Sequence, residues 1–335
     1  MIKKLKRAYR HHILKRKLST GWQEFRRTGK TSPDTYRALR QMFVLTRGGY
    51  NDKVAQEIIT SIGKERNENV EGILGYLEEK ELKEMANHMK KDGYYIFDSG
   101  LSPEKISSIV NFALEEPVHY LNPETGKQSV EKIKYDPKTP ISPRYDFSRE
   151  SILKSEDLQD LIFDDSLLAF AQEYLGCKPI LDHLAFWWSQ PFNGKAKSEA
   201  AQLYHFDMDR IKFMKFFFYL TDVDTYNGPH CYVKNSHTKL PPEISRDGRF
   251  TDVDILKIYG AQNMLEIVGK KGAIMAVDTR GMHKGKDLIK GERLLFQIEF
   301  AISMFGQNYS ALPKSLIKVP YREKANQYAY KHIFE

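Results

Sequence analysis

The sequence predicts a mainly β protein with an antiparallel double-sheet core, flanking helices and an N-terminal helical extension. Three observations lead to this prediction. The second half of the chain contains short runs of aromatic and branched residues separated by clusters of Gly, Asn and Pro, which is typical of antiparallel strands. The first 90 residues instead repeat apolar positions at helical spacing. The change occurs at Asp92-Gly93, a turn signal that precedes the β-prone run Tyr94–Phe97.

Helical periodicity defines the N-terminal part of the chain. In residues 1–18, the apolar positions Ile2, Leu5, Tyr9 and Ile13 share one face of a basic helix. Further helical segments are predicted at Tyr36–Thr46, Lys53–Ile62 and Val70–Lys91. We therefore interpret residues 1–30 as a basic amphipathic arm, 31–90 as a helical subdomain and 91–335 as the β domain.

The β domain is predicted to open with a strand and a helix. Ser102-Pro103-Glu104 is typical of a helix start, and this helix is expected to end near Glu116. Residues 117–150 are interpreted as a long loop that contains several prolines. The strands predicted after this loop are Ile180–Trp188, Phe213–Leu220, Met264–Val268, Ala273–Val277 and Leu294–Ala301.

The positive charge of the chain is concentrated at its N-terminus. The formal net charge is +8, yet residues 1–30 hold eleven Lys or Arg and one acid, so residues 31–335 sum to −2. This arm could contact an anionic membrane through residues 1–18. Specific nucleic-acid binding is not expected, because no recognisable reader motif accompanies the arm.

Cysteine usage and hydropathy indicate the compartment. The chain has two cysteines, Cys177 and Cys231, which is too few for a disulfide scaffold. It also lacks an apolar run long enough to span a membrane and the apolar core of a signal peptide. We expect a cytoplasmic protein, with peripheral attachment at the inner face of the membrane as the alternative.

A candidate metal motif lies at Tyr204–Asp207. His205 and Asp207 are two residues apart, so on a strand their side chains point to the same face and can converge on one ion. A distal His would complete a set of two imidazoles and one carboxylate, which suits Fe(II) with positions left open for substrate and oxygen. The pair alone is a weak signal, because a His-x-Asp arises readily by chance.

The candidate distal ligand is His283, which closes the segment Asp278–His283 after a predicted strand. Ten residues later Arg293 opens the next strand, where its guanidinium could hold the far carboxylate of a chelating 2-oxo diacid through two parallel hydrogen bonds. His230 and His237 remain alternatives for the distal ligand. We favour His283 because only this His is followed by an Arg at a suitable distance.

Over about residues 91–305 the chain resembles the phytanoyl-CoA dioxygenase-like branch of the Fe(II)/2-oxoglutarate oxygenases. The similar segments, in order, are Lys91–Phe97 with Leu101–Glu104, His205–Asp207, Asn227–His237, and Asp278–His283 with Arg293. The chain departs from the family at Phe206, where many members have Gln, and at Asn235, where Gly is usual.

This resemblance implies a double-stranded β-helix of the jelly-roll, cupin-like type. It implies Fe(II) bound by His205, Asp207 and His283, and 2-oxoglutarate bound by Arg293. The implied reaction consumes O2, converts 2-oxoglutarate to succinate and carbon dioxide, and hydroxylates an unactivated C–H bond. Because Asp207 is present, hydroxylation is preferred to halogenation.

We expect a small-molecule, lipid or sugar-containing substrate. Two other functions stay open. One is a catalytically silent relative that acts as a binding or membrane-surface module. The other is a protein whose basic arm makes salt-sensitive, non-specific contacts with nucleic acid.

Three other groups of residues near these motifs are interpreted as structural, with substrate or co-substrate contact as the alternative. Trp187-Trp188 alternates along a strand, so one ring is expected to face inward and the other outward. Lys212 and Lys215 are interpreted as part of a solvated strand face. Arg144-Tyr145 is interpreted as part of a surface loop.

Overall fold

Helices come first along the chain and strands dominate its second half. The computed structural model describes residues 2–65, 69–192 and 202–335. The α-helices in these ranges are α1 (Ile2–Thr28), α2 (Pro33–Thr46), α3 (Gly49–Ile62), α4 (Glu79–Asp92), α5 (Pro103–Glu115), α6 (Arg149–Ile152), α7 (Glu156–Ile162), α8 (Asp165–Leu175) and α9 (Asp252–Tyr259). None of the helices described here is long and apolar enough to cross a lipid bilayer.

The strands supply both sheets of the core and one small hairpin. In the same ranges they are β1 (Val70–Gly72), β2 (Gly75–Leu77), β3 (Tyr94–Gly100), β4 (Val118–Leu121), β5 (Gln128–Ile133), β6 (Arg144–Asp146), β7 (Ile180–Ser189), β8 (Phe213–Tyr219), β9 (His230–Val233), β10 (Met264–Ile267), β11 (Ala273–Val277), β12 (His283–Gly285) and β13 (Arg293–Ala301).

Two antiparallel sheets face each other in the core. The larger sheet has eight strands in the order β3-β11-β8-β13-β7-β6-β4-β5, and the smaller has the order β10-β9-β12. The smaller sheet is extended by an isolated antiparallel bridge between His205 and His283. Side chains from both sheets, among them Trp187, Phe217 and Tyr232, form one apolar cluster. The predicted fold class, an antiparallel double-stranded β-helix with flanking helices, is confirmed.

Strand β8 shows why the sequence favours a central, fully covered strand. All seven of its residues are buried, in the sequence Phe-Met-Lys-Phe-Phe-Phe-Tyr. On one face Phe216 packs with its ring centroid 5.8 Å from that of Phe170 in α8. On the other face Phe217 and Tyr219 meet the smaller sheet. A strand covered on both faces is apolar almost throughout, which makes the single charged residue, Lys215, conspicuous.

Helix α1 is longer than predicted and carries two apolar stripes. Its inner stripe packs on the body through Leu14 and Leu18, which are buried, and through Trp22, whose ring stacks 3.7 Å from that of Phe305. Its outer stripe consists of Leu5, Tyr9 and Ile13, which are 63%, 70% and 36% exposed. The apolar face predicted from the sequence is therefore the one that faces away from the protein.

Two predicted segments are wrong. Residues 70–77 form the β1–β2 hairpin instead of the start of a helix, because Gly75 has a φ of 91° and the backbone N–H of Ile73 donates to the Asp164 carboxylate at 2.8 Å. Residues 117–150 contain strands β4, β5 and β6 instead of one long loop. These strands pair onto the edge of the larger sheet, a tertiary contact that local sequence does not reveal.

The apolar core spans the predicted segments. One cluster joins Leu18 of α1, Leu39 of α2 and Phe216 of β8. The division of the chain at residues 30 and 90 stays a prediction.

Replacing Leu18 with Ala should destabilise the protein by about 2–5 kcal/mol, the usual effect of emptying a fully buried site. Replacing Leu5, on the exposed stripe of the same helix, with Ala should change the free energy of unfolding by less than about 0.5 kcal/mol. Urea unfolding monitored by circular dichroism checks both values. Equal effects of the two substitutions would show that α1 does not pack on the body as described.

Candidate metal centre

The three predicted ligands meet at one point in the structure. One ligand atom each from His205, Asp207 and His283 lies within 4.8 Å of the other two. The His205 Nε2 is 3.6 Å from Asp207 Oδ1, and the His283 Nε2 is 3.5 Å from Asp207 Oδ2. Asp207 keeps 21% of its side-chain exposure, so the cluster is reachable from solvent. The arrangement could hold a single metal ion.

Backbone pairing brings the two imidazoles together. The His205 N–H donates to the His283 carbonyl at 2.9 Å, and the His283 N–H donates to the His205 carbonyl at 2.8 Å. Directly opposed residues carry their side chains on the same face, and the two ring centroids are 4.3 Å apart. The strand predicted for residues 204–207 is reduced to isolated bridges, but the expected convergence of His205 and Asp207 is present.

Hydrogen bonds fix how each imidazole presents its nitrogens. The His205 Nδ1 is 2.9 Å from the Leu203 carbonyl, and the His283 Nδ1 is 2.9 Å from the Gly281 carbonyl. A carbonyl only accepts, so both Nδ1 atoms carry a proton, which leaves Nε2 of each ring as the nitrogen that could bind a metal. Burial, with a further effect of His283, lowers the pKa of His205 to about 3. A neutral His205 imidazole with a free Nε2 fits a divalent metal.

The turn before His283 is held by a buried ion pair. Arg280 donates to the Asp278 carboxylate at 2.8 Å, and the Tyr174 hydroxyl donates to the same carboxylate at 2.6 Å. Burial alone would raise the pKa of Asp278, but Arg280 outweighs it and lowers that pKa to about 2. At Gly281 a Cβ would lie 2.1 Å from the Tyr232 hydroxyl, so this position requires glycine. These contacts fix the backbone that carries His283.

Lys215 lies inside the site, and its prediction as a solvated residue is wrong. Its Nζ is 2.7 Å from Asp207 Oδ2, 3.1 Å from Asp209 Oδ2 and 3.4 Å from Glu299 Oε2. Burial opposes its charge, but these carboxyl groups raise the pKa of Lys215 well above its usual value. Burial likewise raises the pKa of Asp207, yet Lys215 and His283 reverse that effect and hold it well below its usual range. The carboxylate therefore stays ionised beside an ammonium group.

Arg293 is a buried cation without an anionic partner. Its Nη1 donates to the Gly228 carbonyl, and its Nη2 is 3.4 Å from the Ser189 hydroxyl. Its Nε is buried and unpaired, and no carboxylate of residues 2–65, 69–192 or 202–335 forms an ion pair with it. Burial, helped by nearby Arg144 and opposed by Tyr219, lowers the pKa of Arg293 to about 10. Such a group is expected to receive an anionic ligand.

His230 lies close to both the metal cluster and Arg293. Its ring is stacked 5.4 Å from that of His283 and is 5.0 Å from Phe217. Its Nε2 is buried and has no hydrogen-bond partner within the described ranges. Burial first, then His283 and Arg293, lower the pKa of His230 well below its usual value. His230 is outside the three-residue cluster, so the alternative of His230 as the distal ligand is not favoured by the geometry.

The other candidate residues named from the sequence lie outside the three-residue cluster. His237 lies away from the cluster, with its Nε2 3.1 Å from the Lys90 carbonyl. Trp187 faces the space between the sheets, whereas Trp188 turns to the opposite face and stacks on Tyr135 at 4.6 Å. Lys212 is half-buried, and its Nζ donates to the Leu175 carbonyl at 3.2 Å.

Arg144 and Tyr145 belong to strand β6, so their prediction as a surface loop is wrong. The Arg144 guanidinium lies 4.3 Å from the centroid of the Trp187 ring. Arg144 and Arg293 both pair with Ser189 in the sheet register and therefore face the same side as Trp187. Tyr145 is buried, and its hydroxyl accepts the Ile141 N–H at 2.9 Å, which is a structural role.

From the sequence, Lys215 was interpreted as a solvated residue and His230 was only an alternative distal ligand, whereas both lie beside the three-residue cluster. A signal for Lys215 was present, because strand alternation places it on the same face as Phe217 and Tyr219. His230 had no such signal, since its proximity to His283 comes from the pairing of β9 with β12.

Comparisons with known proteins give low similarity. No protein-family model matches the sequence, and no curated protein matches it significantly. The solved structures that it resembles include the epimerase SnoN in complex with Fe3+, alpha ketoglutarate and nogalamycin RO, at 16% identity and a TM-score of 0.49, covering 65% of this chain and 82% of that chain.

Two other solved structures have a similar sequence identity and TM-score. EctD from S. alaskensis with bound Fe has 16% identity and a TM-score of 0.49, covering 71% of this chain and 80% of that chain. HygX from Streptomyces hygroscopicus with nickel and 2-oxoglutarate bound has 15% identity and a TM-score of 0.48, covering 68% and 89%. At this level the likeness assigns no activity, and membership of the phytanoyl-CoA dioxygenase-like family stays a prediction.

Replacing His283 with Ala should weaken Fe(II) binding by more than about 100-fold, since loss of a direct ligand exceeds the 10–100-fold effect of outer hydrogen-bond partners. Anaerobic equilibrium dialysis against Fe(II) gives the affinity. His119, a half-buried imidazole on β4, supplies the matched control His119→Ala, which should bind iron like the unsubstituted protein. Retained iron affinity in the His283 variant would contradict the assignment of the centre.

Proposed function

We propose that this chain is an Fe(II)- and 2-oxoglutarate-dependent oxygenase that hydroxylates an unactivated C–H bond of a small-molecule, lipid or sugar-containing substrate. The observation that supports the proposal is the pairing of two features in one space. His205, Asp207 and His283 form a pre-arranged set, and His230 lies between this set and Arg293, since burial, His283 and Arg293 together lower the pKa of His230. Arg293 is a buried guanidinium whose Nε has no partner among the described residues. The four motifs that resemble the phytanoyl-CoA dioxygenase-like family support the same reaction.

Each residue has a distinct task in this proposal. His205, Asp207 and His283 would hold ferrous iron, which supplies the activation of O2 for C–H oxidation. Arg293, with the Ser189 hydroxyl beside it, would hold the far carboxylate of 2-oxoglutarate through charge-assisted hydrogen bonds. Phe217 lies in the apolar cluster between the sheets and would exclude water from the co-substrate.

The alternative function is a catalytically silent binding module. The observation that favours it is Lys215, because its ammonium group already neutralises Asp207 at 2.7 Å. A carboxylate has two oxygens, however, and Oδ1 of Asp207 faces His205 instead of Lys215. One oxygen can therefore bind metal while the other accepts from the lysine. Iron binding and succinate release decide between the two functions.

Replacing Arg293 with Gln should weaken 2-oxoglutarate binding by about 10- to 100-fold, the effect of losing hydrogen bonds to a charged group. Calorimetry on the anaerobic Fe(II)-loaded protein measures this affinity, and succinate release measures turnover. Fe(II) affinity should stay within about threefold, since Arg293 is not a metal ligand.

The exposed residue Arg37 supplies the control Arg37→Gln, which should behave like the unsubstituted protein. Unchanged 2-oxoglutarate affinity in the Arg293 variant would contradict the placement of the co-substrate. If the unsubstituted protein binds iron but releases no succinate, the silent binding module becomes the better assignment.

We also infer that α1 contacts an anionic membrane surface. Its outer stripe of Leu5, Tyr9 and Ile13 lies opposite the face that packs on the body. Exposed Lys6, Arg10 and Lys17 flank this stripe, and the chain has no acidic residue before Glu24. An apolar stripe flanked by cations is typical of helices that lie in the plane of a bilayer interface.

Replacing Leu5 and Tyr9 together with Ser should weaken partitioning onto phosphatidylglycerol-containing vesicles, measured by sedimentation, by at least about 100-fold, because burial of each large apolar side chain contributes about 1.5–3 kcal/mol. The matched control changes Val253 and Leu256 to Ser, two exposed apolar residues of α9, and should sediment normally. Raised salt should also weaken the interaction. Equal sedimentation with neutral phosphatidylcholine vesicles, or with the double variant, would contradict the inference.

A further inference from the structure

A cavity of about 680 Å3 lies between α1, the start of β7 and the C-terminal residues 302–335. Its size is within the range of about 300–1,000 Å3 that holds small organic ligands in proteins. Part of its wall is apolar, formed by side chains that include Trp22, Phe25 and Ile302. Another part is charged, with the cations Lys30, Arg149 and Arg210 and the anions Asp182 and Glu335. The cavity thus combines an apolar region with a region of mixed charge.

The two arginines of this wall differ in their partners. Arg210 is 1% exposed and donates through Nε to Asp182 at 2.7 Å, so its charge is already matched. Arg149 donates through Nη1 to the Ser310 carbonyl at 2.7 Å and has no ion pair with any carboxylate in the described part of the chain. Its Nε and Nη2 are buried and have no hydrogen-bond partner among the residues that the structure describes.

Those two nitrogens form the edge of a guanidinium that binds carboxylates and phosphates. Nε–H and Nη2–H are parallel donors, and their spacing matches two oxygens of one anionic group. Desolvating an unpaired cation is costly, and an anion at this edge would offset that cost. The ring centroid of Tyr309 lies 5.5 Å from Cζ of Arg149. The Tyr309 ring also stacks on His183 at 4.1 Å.

We propose that this cavity binds an organic anion, with a carboxylate or phosphate held by the Nε–Nη2 edge of Arg149 and an apolar body lying against Trp22, Phe25 and Ile302. The site is separate from His205, Asp207 and His283. Binding at this site requires neither iron nor 2-oxoglutarate, so its test does not depend on the proposed function.

The cavity is nevertheless connected to the metal centre through side chains. Burial, and then Asp209 and Asp182, raise the pKa of Glu299 well above its usual value, so Asp182 in the cavity wall lies close to this carboxyl group. Glu299 in turn is 3.4 Å from Lys215, which contacts Asp207. Asp182 is therefore linked through Glu299 and Lys215 to one of the candidate metal ligands.

The test is calorimetric titration of the full, metal-free chain with octanoate, octyl phosphate and 1-octanol. The first two probes share the apolar body of octanol and add an anionic group. One equivalent of octanoate or octyl phosphate should bind at least about tenfold more tightly than octanol, because a charge-assisted bidentate contact is added. If octanoate binds more tightly than octyl phosphate, the natural ligand is a carboxylate, and the opposite order indicates a phosphate. Octanol binding as tightly as both anions would overturn the proposal without any variant.

Substitutions then locate the anionic group. Arg149→Gln should weaken binding of the anions by about 10- to 100-fold and leave octanol binding unchanged. Arg149→Lys keeps the charge but loses the paired donors, so it should recover only a small part of that loss. Lys30, an exposed cation that also lines the cavity, supplies the control Lys30→Gln, which should change anion affinity by less than about threefold. Full octanoate affinity in folded Arg149→Gln protein would overturn the proposal.

Discussion

The site depends on one pair of backbone hydrogen bonds. His205 and His283 are far apart in sequence, yet each donates its N–H to the other's carbonyl and the two residues become directly opposed neighbours. This bridge extends the smaller sheet and places both imidazoles on the same face of it. Asp207 follows two residues after His205, so its carboxylate joins them without any further element. The candidate metal centre is thus a consequence of strand pairing in a two-sheet fold.

Among the described residues, buried arginines in the structural part of the molecule have carboxylate partners, whereas those in its candidate binding sites do not. Two arginines are fully matched: Arg210 with Asp182, and Arg280 with Asp278. These pairs hold the backbone around the core. Arg293 and Arg149 instead keep buried nitrogens without acceptors. Since an unpaired buried cation reduces stability, its retention points to a ligand that supplies the missing anion.

The sequence indicated the strands and the shared face of His205 and Asp207 because both follow from local rules, whereas His283 was chosen from the Arg that follows it and from the family resemblance. Alternating and fully apolar runs predicted strands such as β8 and β13, and spacing alone predicted that His205 and Asp207 would share a face. The sequence could not show contacts between residues that are far apart along the chain and are brought together by strand pairing. The placement of His230 beside His283 depends on the register of β9 against β12.

The errors have the same origin. Residues 117–150 were predicted as a loop because their strands are stabilised mainly by pairing at the sheet edge. The sequence reading of α1 identified the stripe of Leu5 and Tyr9 but not the second stripe, with Leu14 and Leu18, that packs on the body. Lys215 was misplaced because a lysine usually lies in solvent, whereas three carboxyl groups surround its ammonium here.

The central claim is most directly tested by a crystal structure of the protein grown anaerobically with Fe(II) and 2-oxoglutarate, with anomalous scattering recorded at the iron edge. The account predicts one iron peak within about 2.0–2.3 Å of His205 Nε2, His283 Nε2 and an Asp207 oxygen, distances typical of divalent transition metals with N and O ligands. The far carboxylate of 2-oxoglutarate should lie on the Arg293 guanidinium. An iron peak bound by other residues, or 2-oxoglutarate seated away from Arg293, would contradict the account.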